Sequence, residues 1–235
     1  MLNLNSFKHL AIIMDGNGRW AHQRKHKRFF GHTQGAKTAQ AIVSKCVDLN
    51  IPYLSLFTLS TENTLRPESE LVALVKIFEK ILAKEVAFLM EKKIRLCVLG
   101  DVSFFSDQLQ DQITHLQEKT KNHQGLTLII ALNYGGRQEI VNGARSVFQK
   151  IQSGELKEED LGEEQFASFL PSSQFPEPDL IIRTGGNLRL SNFYLWSAAY
   201  SELYFTETLW PDFDEKCLNL ALKKYSVTER KFGVL

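Results

Sequence analysis

Cysteine is scarce in this chain. Cys46, Cys97 and Cys217 are the only three among 235 residues, far apart and without a C-x-x-C pair. That excludes a disulfide framework and a zinc site of local spacing, and it fits a reducing compartment. A surplus of charge of one sign is lacking too, since 28 Lys and Arg against 27 Asp and Glu leave a formal charge of +1. A general nucleic-acid binder needs excess positive charge on one face, so no nucleic-acid partner is expected. No apolar run approaches the roughly 20 residues that span a bilayer. The opening MLNLNSFKHL also lacks the apolar core of a signal peptide, and a soluble, cytoplasmic protein is expected. There is no internal repeat and no low-complexity linker. The length suits one α/β domain over residues 1–235, large enough for a full core.

What the chain does have is concentrated first in residues 9–32, HLAIIMDGNGRWAHQRKHKRFFGH. The apolar run Leu10 to Met14 predicts a buried strand. It ends at Asp15, followed by Gly16-Asn17-Gly18, a turn able to present backbone N–H groups inward. Arg19, Arg24, Lys25, Lys27 and Arg28 follow. A carboxylate, a glycine turn and clustered cations suit a metal-bound diphosphate, with Asp15 on Mg²⁺ and amides and guanidiniums on the phosphate oxygens. A strand, a turn and a solvated basic helix end suit the same spacing, which leaves both open.

Further strands are predicted over 52–59, 94–99, 126–132, 179–182 and 202–205, and helices over 33–49, 68–92, 106–121 and 137–151, from Ser191-Asn192 onward, and at the C-terminus. Alternating strands and helices predict a mostly parallel sheet, six strands in all, covered on both faces. The helix over 68–92 is apolar on more than one stripe, with Leu71, Leu74, Val75, Phe78, Ile81, Leu82, Phe88 and Leu89 among its residues. Its second apolar side fits either a protein partner or an apolar ligand.

In a parallel sheet, ligands bind beyond the carboxyl ends of the strands. Those ends read Asp15-Gly16-Asn17-Gly18-Arg19, Ser60-Thr61-Glu62-Asn63, Asn133-Tyr134-Gly135-Gly136-Arg137 and Arg183-Thr184-Gly185-Gly186. Four such loops on one edge suggest an anion site. Arg183 and Arg189, with Ser191 at an expected helix N-terminus, form a candidate diphosphate clamp. Ion pairing with nearby acids would use the same arginines. His32 suits a phosphate donor or a helix-start residue. Glu202, beside a strand, is costly there unless paired or metal-bound, and a surface salt bridge would also satisfy it.

With these residues in view, the chain resembles the cis-prenyltransferases, and within them the bacterial undecaprenyl diphosphate synthases (isoprenyl transferases). The matching stretches are HLAIIMDGNGRWA, Gly31-His32, STEN with Arg66, LNYGGR, PDLIIRTGG, RLSNFYLW and ELYFTETLWPDF, in family order from about residue 9 to 213. The resemblance implies a homodimer, a six-stranded parallel sheet with an apolar tunnel, and Mg²⁺-dependent condensation of isopentenyl diphosphate onto an allylic diphosphate such as farnesyl diphosphate. The implied product is a long-chain polyprenyl diphosphate, the lipid-carrier precursor for cell-wall synthesis, with peripheral membrane contact for its release. It further implies Asp15 and Asn63 as catalytic and Asp15 and Glu202 as Mg²⁺ contacts. Gly16, Asn17, Gly18, Arg19, Arg28 and His32 would hold the allylic diphosphate, with Trp20 beside it. Ser60, Thr61, Glu62 and Arg66 belong to the adjoining loop, and Arg183, Arg189 and Ser191 to the isopentenyl diphosphate clamp. Thr64 and Leu188 stand where the family pattern carries a tryptophan and a histidine. Two rival readings remain at this point: a phosphotransferase with Asp15 as nucleophile, although Asn17 stands where a second Asp is usual, and a non-catalytic partner subunit.

Overall fold

A computed structural model describes residues 6–65 and 68–229. Arg66 and Pro67 lie outside the described residues, as do the side chains of Thr64, Leu71, Leu74 and Ile81. The sheet has six strands: β1 (His9–Ile13), β2 (Tyr53–Phe57), β3 (Arg95–Leu99), β4 (Thr127–Ala131), β5 (Leu180–Arg183) and β6 (Glu202–Phe205). Their order is β3-β4-β2-β1-β5-β6, and every pairing is parallel. The helices are α1 (Asn17–Gln23), α2 (Arg28–Asp48), α3 (Glu68–Glu91), α4 (Asp107–Thr120), α5 (Gly136–Gln152), α6 (Glu163–Ala167) and α7 (Glu215–Ser226).

All five residues of β1 are buried, as a strand covered on both faces requires. Its side chains alternate between two cores. Leu10 and Ile12 join Leu54, Leu56, Leu128 and residues of α2, α4 and α7 on one face. Ala11 and Ile13 join Ile129, Ile181, Phe193 and Tyr194 on the other. Fully burying each such Leu or Ile contributes about 1.5–3 kcal/mol, so the core rather than local propensity fixes the register. His9 is also fully buried. Its Nδ1 lies 2.6 Å from the Pro176 carbonyl and its Nε2 2.8 Å from Ser55 Oγ. Burial is the main cause that lowers its pKa to about 4, and the ring is neutral near pH 7.

Three local expectations are corrected. The segment Gly16-Asn17-Gly18 is not an open loop: α1 begins at Asn17, capped by Gly16 in the left-handed region (φ 115). The second helix starts at Arg28 instead of residue 33, because Gly31 and Gly35 let it close on α1. A Cβ on Gly31 would stand 2.0 Å from the Asn17 carbonyl oxygen, and one on Gly35 2.2 Å from Asn17 Oδ1. Finally, residues 191–200 form turns and bends with no helix. Ser191, Asn192 and Tyr194 have φ of 49, 67 and 48. This path sends Phe193 to stack on Phe57, ring centroids 4.4 Å apart, and brings Tyr194 Oη within 2.9 Å of Ser55 Oγ. The helix-dipole contribution expected at Ser191 is therefore absent.

Candidate active site

The strand order reverses between β1 and β5, since β2 and β4 lie to one side of β1 and β6 lies beyond β5. A crevice opens outside the carboxyl ends of strands at such a switch point. Ile13 is in register with Arg183, which sets Asp15 and Arg183 on either side of it.

Arg183 is 4 % exposed. Its Nη2 donates to Asp15 Oδ2 at 2.9 Å, and its Nη1 to the Arg189 carbonyl at 2.5 Å and Ser191 Oγ at 2.6 Å. Asn187 Nδ2 donates to the same Asp15 oxygen at 2.7 Å, and Arg19 Nη2 lies 3.2 Å from Oδ1. Burial works to raise the Asp15 pKa. The hydrogen bonds from Asn187 and Arg183, with the charges of Arg183 and Arg19, outweigh it and hold the carboxyl below its ordinary value. The backbone here is equally constrained. Thr184 Oγ1 and the Trp210 N–H both donate to the Asp15 carbonyl, at 2.7 and 3.0 Å. Gly185 has φ +82, and a Cβ there would fall 2.5 Å from Arg19 Nη2.

Among the described residues, two buried polar atoms at this place have no hydrogen-bond partner, Arg183 Nε and Asn17 Oδ1. Both residues line a cavity of about 560 Å³. Its polar end is formed by Asp15, Asn17, Arg19, His32, Ser60, Asn63, Arg183, Asn187, Arg189 and Ser191. The remaining wall is mostly apolar: Ala36, Ala39 and Val43 from α2; Val75, Ile77, Phe78, Phe88 and Leu89 from α3; and Leu56, Leu128 and Ile130 from the sheet. The cavity accounts for the second apolar side of α3. One end can hold an anion and the rest can hold hydrocarbon.

The other expected site residues stand off the cavity wall. The Arg28 guanidinium lies against Gly18, where a Cβ would come 2.8 Å from its Nε. Trp20 Nε1 donates to Asp212 Oδ1 at 2.6 Å, and Arg24 sits 4.3 Å above its ring. Thr61 uses its N–H on the Tyr134 carbonyl. Glu62 is exposed and accepts from Asn192 Nδ2 at 2.6 Å. Burial is the largest single influence and raises its pKa, but hydrogen bonds from its own N–H, Asn192, Ser60 and Thr61 together outweigh it and bring it below the ordinary value. Glu202 pairs with Leu180 at the amino end of β6. That is three residues, about 10 Å of strand rise, below the level of Arg183, so within one chain it does not meet Asp15. Among the described residues no cluster of three His, Cys, Asp or Glu is placed to hold a metal.

The prenyltransferase family profile described as undecaprenyl diphosphate synthase matches residues 13–233. The chain belongs to this family. It is a prenyltransferase. It is 45% identical over 232 residues to the ditrans,polycis-undecaprenyl-diphosphate synthase ((2E,6E)-farnesyl-diphosphate specific) of Yersinia pseudotuberculosis, covering 99% of this chain and 92% of that protein. The isoprenyl transferase of Clostridium perfringens is 44% identical over 226 residues, with 96% and 89% covered. Among solved structures, lavandulyl diphosphate synthase from Lavandula x intermedia, in complex with dimethylallyl diphosphate, superposes with a TM-score of 0.93 at 37% identity, covering 96% of this chain and 98% of that one.

Reasoning from sequence missed Asn187, whose side chain donates to Asp15 at the polar end of the cavity. Its place directly after the paired glycines, on the strand-end loop already singled out, was the available signal.

Proposed function

We propose that this prenyltransferase adds isopentenyl diphosphate repeatedly to an allylic diphosphate primer, farnesyl diphosphate, to give a long-chain polyprenyl diphosphate such as undecaprenyl diphosphate, precursor of a lipid carrier for cell-wall synthesis. The observation that carries this reading is the two-part cavity, with Asp15 held ionised among Arg183, Arg19 and Asn187 at one end and apolar walls along the rest. An amphiphile with an anionic head and a hydrocarbon tail is the ligand that such a space selects.

In this reading Asp15, Arg19, Asn17 and His32 receive the allylic diphosphate, with Arg28, Gly16, Gly18 and Trp20 shaping that side. Arg183, Arg189 and Ser191 receive isopentenyl diphosphate. Arg183 Nε and Asn17 Oδ1, buried without partners, gain them from substrate or from water that it orders. Breaking the allylic carbon–oxygen bond puts negative charge on the leaving diphosphate, and cations already in place stabilise that charge without reorganising. Asn63, at the polar end of the cavity, orients the isopentenyl group. Being a neutral amide it is a weak base, so the departing proton passes to Asp15, water or the diphosphate. Ser60, Thr61 and Glu62 frame this loop.

Mg²⁺ fits the donor set. A single ionised carboxylate with a loosely engaged Oδ1 suits an ion that takes its remaining ligands from substrate phosphates and water. Asp15 would hold it, and the ion would supply charge neutralisation to the diphosphate. Glu202 stands too far away in the same chain to share it. A homodimer is part of the proposal. It is supported by β6 being an edge strand with Leu203 and Tyr200 exposed, 47 % and 56 %. Among the described residues no helix is long and apolar enough to cross a membrane. We place the enzyme in the cytoplasm, with product release at the bilayer surface. Exposed Phe29 and Phe30 beside Lys25 and Lys27 support such contact.

The test is incubation with radiolabelled isopentenyl diphosphate, Mg²⁺ and either farnesyl or geranyl diphosphate, followed by chromatography of the lipid extract. A ladder of labelled polyprenyl products is expected. Absence of label from the lipid fraction with both primers overturns the proposal.

A further inference from the structure

Three strand-end loops of the site meet at one side chain. Asn192, next to the clamp residue Ser191, lies in the left-handed region (φ 67), which asparagine and glycine adopt most readily. Its main-chain carbonyl accepts from the Gly136 N–H at 2.7 Å, and its Oδ1 accepts from the Arg137 N–H at 2.8 Å. Both donors open α5, so the loop after β5 is pinned to the loop after β4. Asn192 Nδ2 donates to Glu62 Oε1 at 2.6 Å, on the loop after β2 and beside Asn63 in sequence. A further bond closes the triangle, from the Thr61 N–H to the Tyr134 carbonyl at 3.1 Å. The chain at Gly135 passes between the other two loops. A Cβ there would fall 2.5 Å from Thr61 Oγ1 and 2.6 Å from Asn192 Nδ2. The Asn192 amide therefore serves one loop as acceptor and another as donor, a combination that a carboxylate or an apolar side chain does not reproduce.

We propose that Asn192 is a positioning residue that fixes the distance between the two parts of the site holding the two ends of isopentenyl diphosphate. The inference rests on the prenyl-transfer reading above, in which Ser191, Arg183 and Arg189 hold the diphosphate and Asn63 orients the isopentenyl group. Ser191 is set from the β5 side, since its Oγ accepts from Arg183 Nη1 at 2.6 Å. Asn63 sits on the short 3-10 turn Thr61–Leu65 and at the polar end of the cavity. That turn is held at Thr61 by Tyr134 and at Glu62 by Asn192. Without the Asn192 amide, the turn shifts relative to Ser191 and the isopentenyl double bond loses its alignment with the allylic carbon. Asp15, Asn17, Arg19 and His32 lie on the β1 side of the site and keep their places, so the primer binds as before. The loss falls on the rate of joining the two substrates.

The experiment uses the full chain with Mg²⁺, as wild type, Asn192→Gly, Glu62→Ala and the double variant. It measures the single-turnover rate of the first condensation of labelled isopentenyl diphosphate with farnesyl diphosphate, the affinity for farnesyl diphosphate alone by calorimetry, and a thermal melt. Glycine accepts the left-handed backbone, so Asn192→Gly removes the amide without adding strain. It is expected to slow condensation by about tenfold or more, since a misplacement of about 1 Å can cost about a hundredfold, with primer affinity unchanged. Glu62→Ala is expected to slow it as well, and the double variant to be no slower than Asn192→Gly, as partners in one interaction behave. A merely structural Asn192 would lower the melt and leave the rate alone, or weaken primer binding as much as the rate; either result overturns the inference. So do losses that multiply in the double variant. Should Asn192→Gly fail to fold, Glu62→Ala decides, and an unchanged rate there overturns the inference. All of these leave the prenyl-transfer reading standing. A wild-type enzyme that puts no label into lipid overturns both.

Discussion

Arg183 Nη2 lies 2.9 Å from Asp15 Oδ2, joining the ends of β5 and β1 across the point where the strand order reverses. The arginine is almost wholly buried, while the Asp15 side chain is 27% exposed. The contact therefore fixes the geometry of the polar end and leaves one face of the carboxylate toward the cavity. Removing the charge but not the shape separates the two roles. Asp15→Asn should fold, since its amide oxygen can still accept from Arg183. Turnover should fall by about a hundredfold or more, the scale seen when a preorganised charge-stabilising group is lost. Steady-state kinetics with saturating Mg²⁺ beside a melting curve checks this; near-wild-type turnover would remove Asp15 from the chemistry.

His9 makes a prediction about acid. Its folded pKa is about 4 against about 6.5 unfolded. Between those values the unfolded chain binds the extra proton and the native one does not. Stability is thus complete above pH 6.5 and declines as pH falls toward 4, by up to about 3 kcal/mol from this residue. Asp15, whose folded pKa is also lowered, adds a loss at more acid pH, as the solution passes below the ordinary carboxylate value. Denaturant unfolding from pH 7 to pH 4 should show the His9 slope, and His9→Gln should flatten it whatever that variant does to absolute stability.

The α1–α2 crossing is tested by two glycines of opposite setting. An alanine methyl at Gly31 would meet the Asn17 carbonyl at 2.0 Å, so α1 must move away and carry Asn17 and Arg19 with it. Gly31→Ala should lose about 1–3 kcal/mol, the usual cost of overpacking, and bind the allylic diphosphate more weakly. Gly162 has nothing within 4 Å of the position a Cβ would take, and Gly162→Ala should melt within a degree or two of wild type. Equal melts for both variants would mean that the close crossing is not maintained in solution.

The sequence was most legible where one physical cause dominates. Apolar runs bounded by turn residues located all six strands, because a strand covered on both faces must be apolar throughout. The strand-end rule then brought Asp15, Asn63, Arg183 and Arg189 to one edge. It was least legible where distant contacts decide. The run from Ser191 has the pattern of a capped helix, yet the stack of Phe193 on Phe57 and the Tyr194–Ser55 hydrogen bond hold it in left-handed turns. The start of α2 depended on Gly31 meeting Asn17, fourteen residues away. Glu202 reads as a site carboxylate from its neighbours in sequence, but strand register sets it at the far end of β6. Gln40 and Glu85 fall 45 residues apart, on helices whose patterns give no sign that they meet.

The last prediction concerns the two arginines of the expected isopentenyl diphosphate clamp, which the fold treats differently. Arg183 is buried and paired, and Arg189 is exposed on the cavity wall. Truncating Arg183 removes one of the two donors to Asp15 Oδ2, leaves Ser191 Oγ and the Arg189 carbonyl without the guanidinium, and opens a void under the switch point. Arg183→Ala should therefore lose about 3–5 kcal/mol of stability, as broken buried ion pairs do, together with activity. Arg189→Ala should melt within about 0.5 kcal/mol of wild type, as exposed substitutions do, yet raise KM for isopentenyl diphosphate about tenfold or more, the worth of a hydrogen bond to a charged group. The split between stability and KM is the readout. If Arg189→Ala left KM unchanged, the clamp would reduce to Arg183 and Ser191, and isopentenyl diphosphate would have to sit closer to Asp15 than proposed.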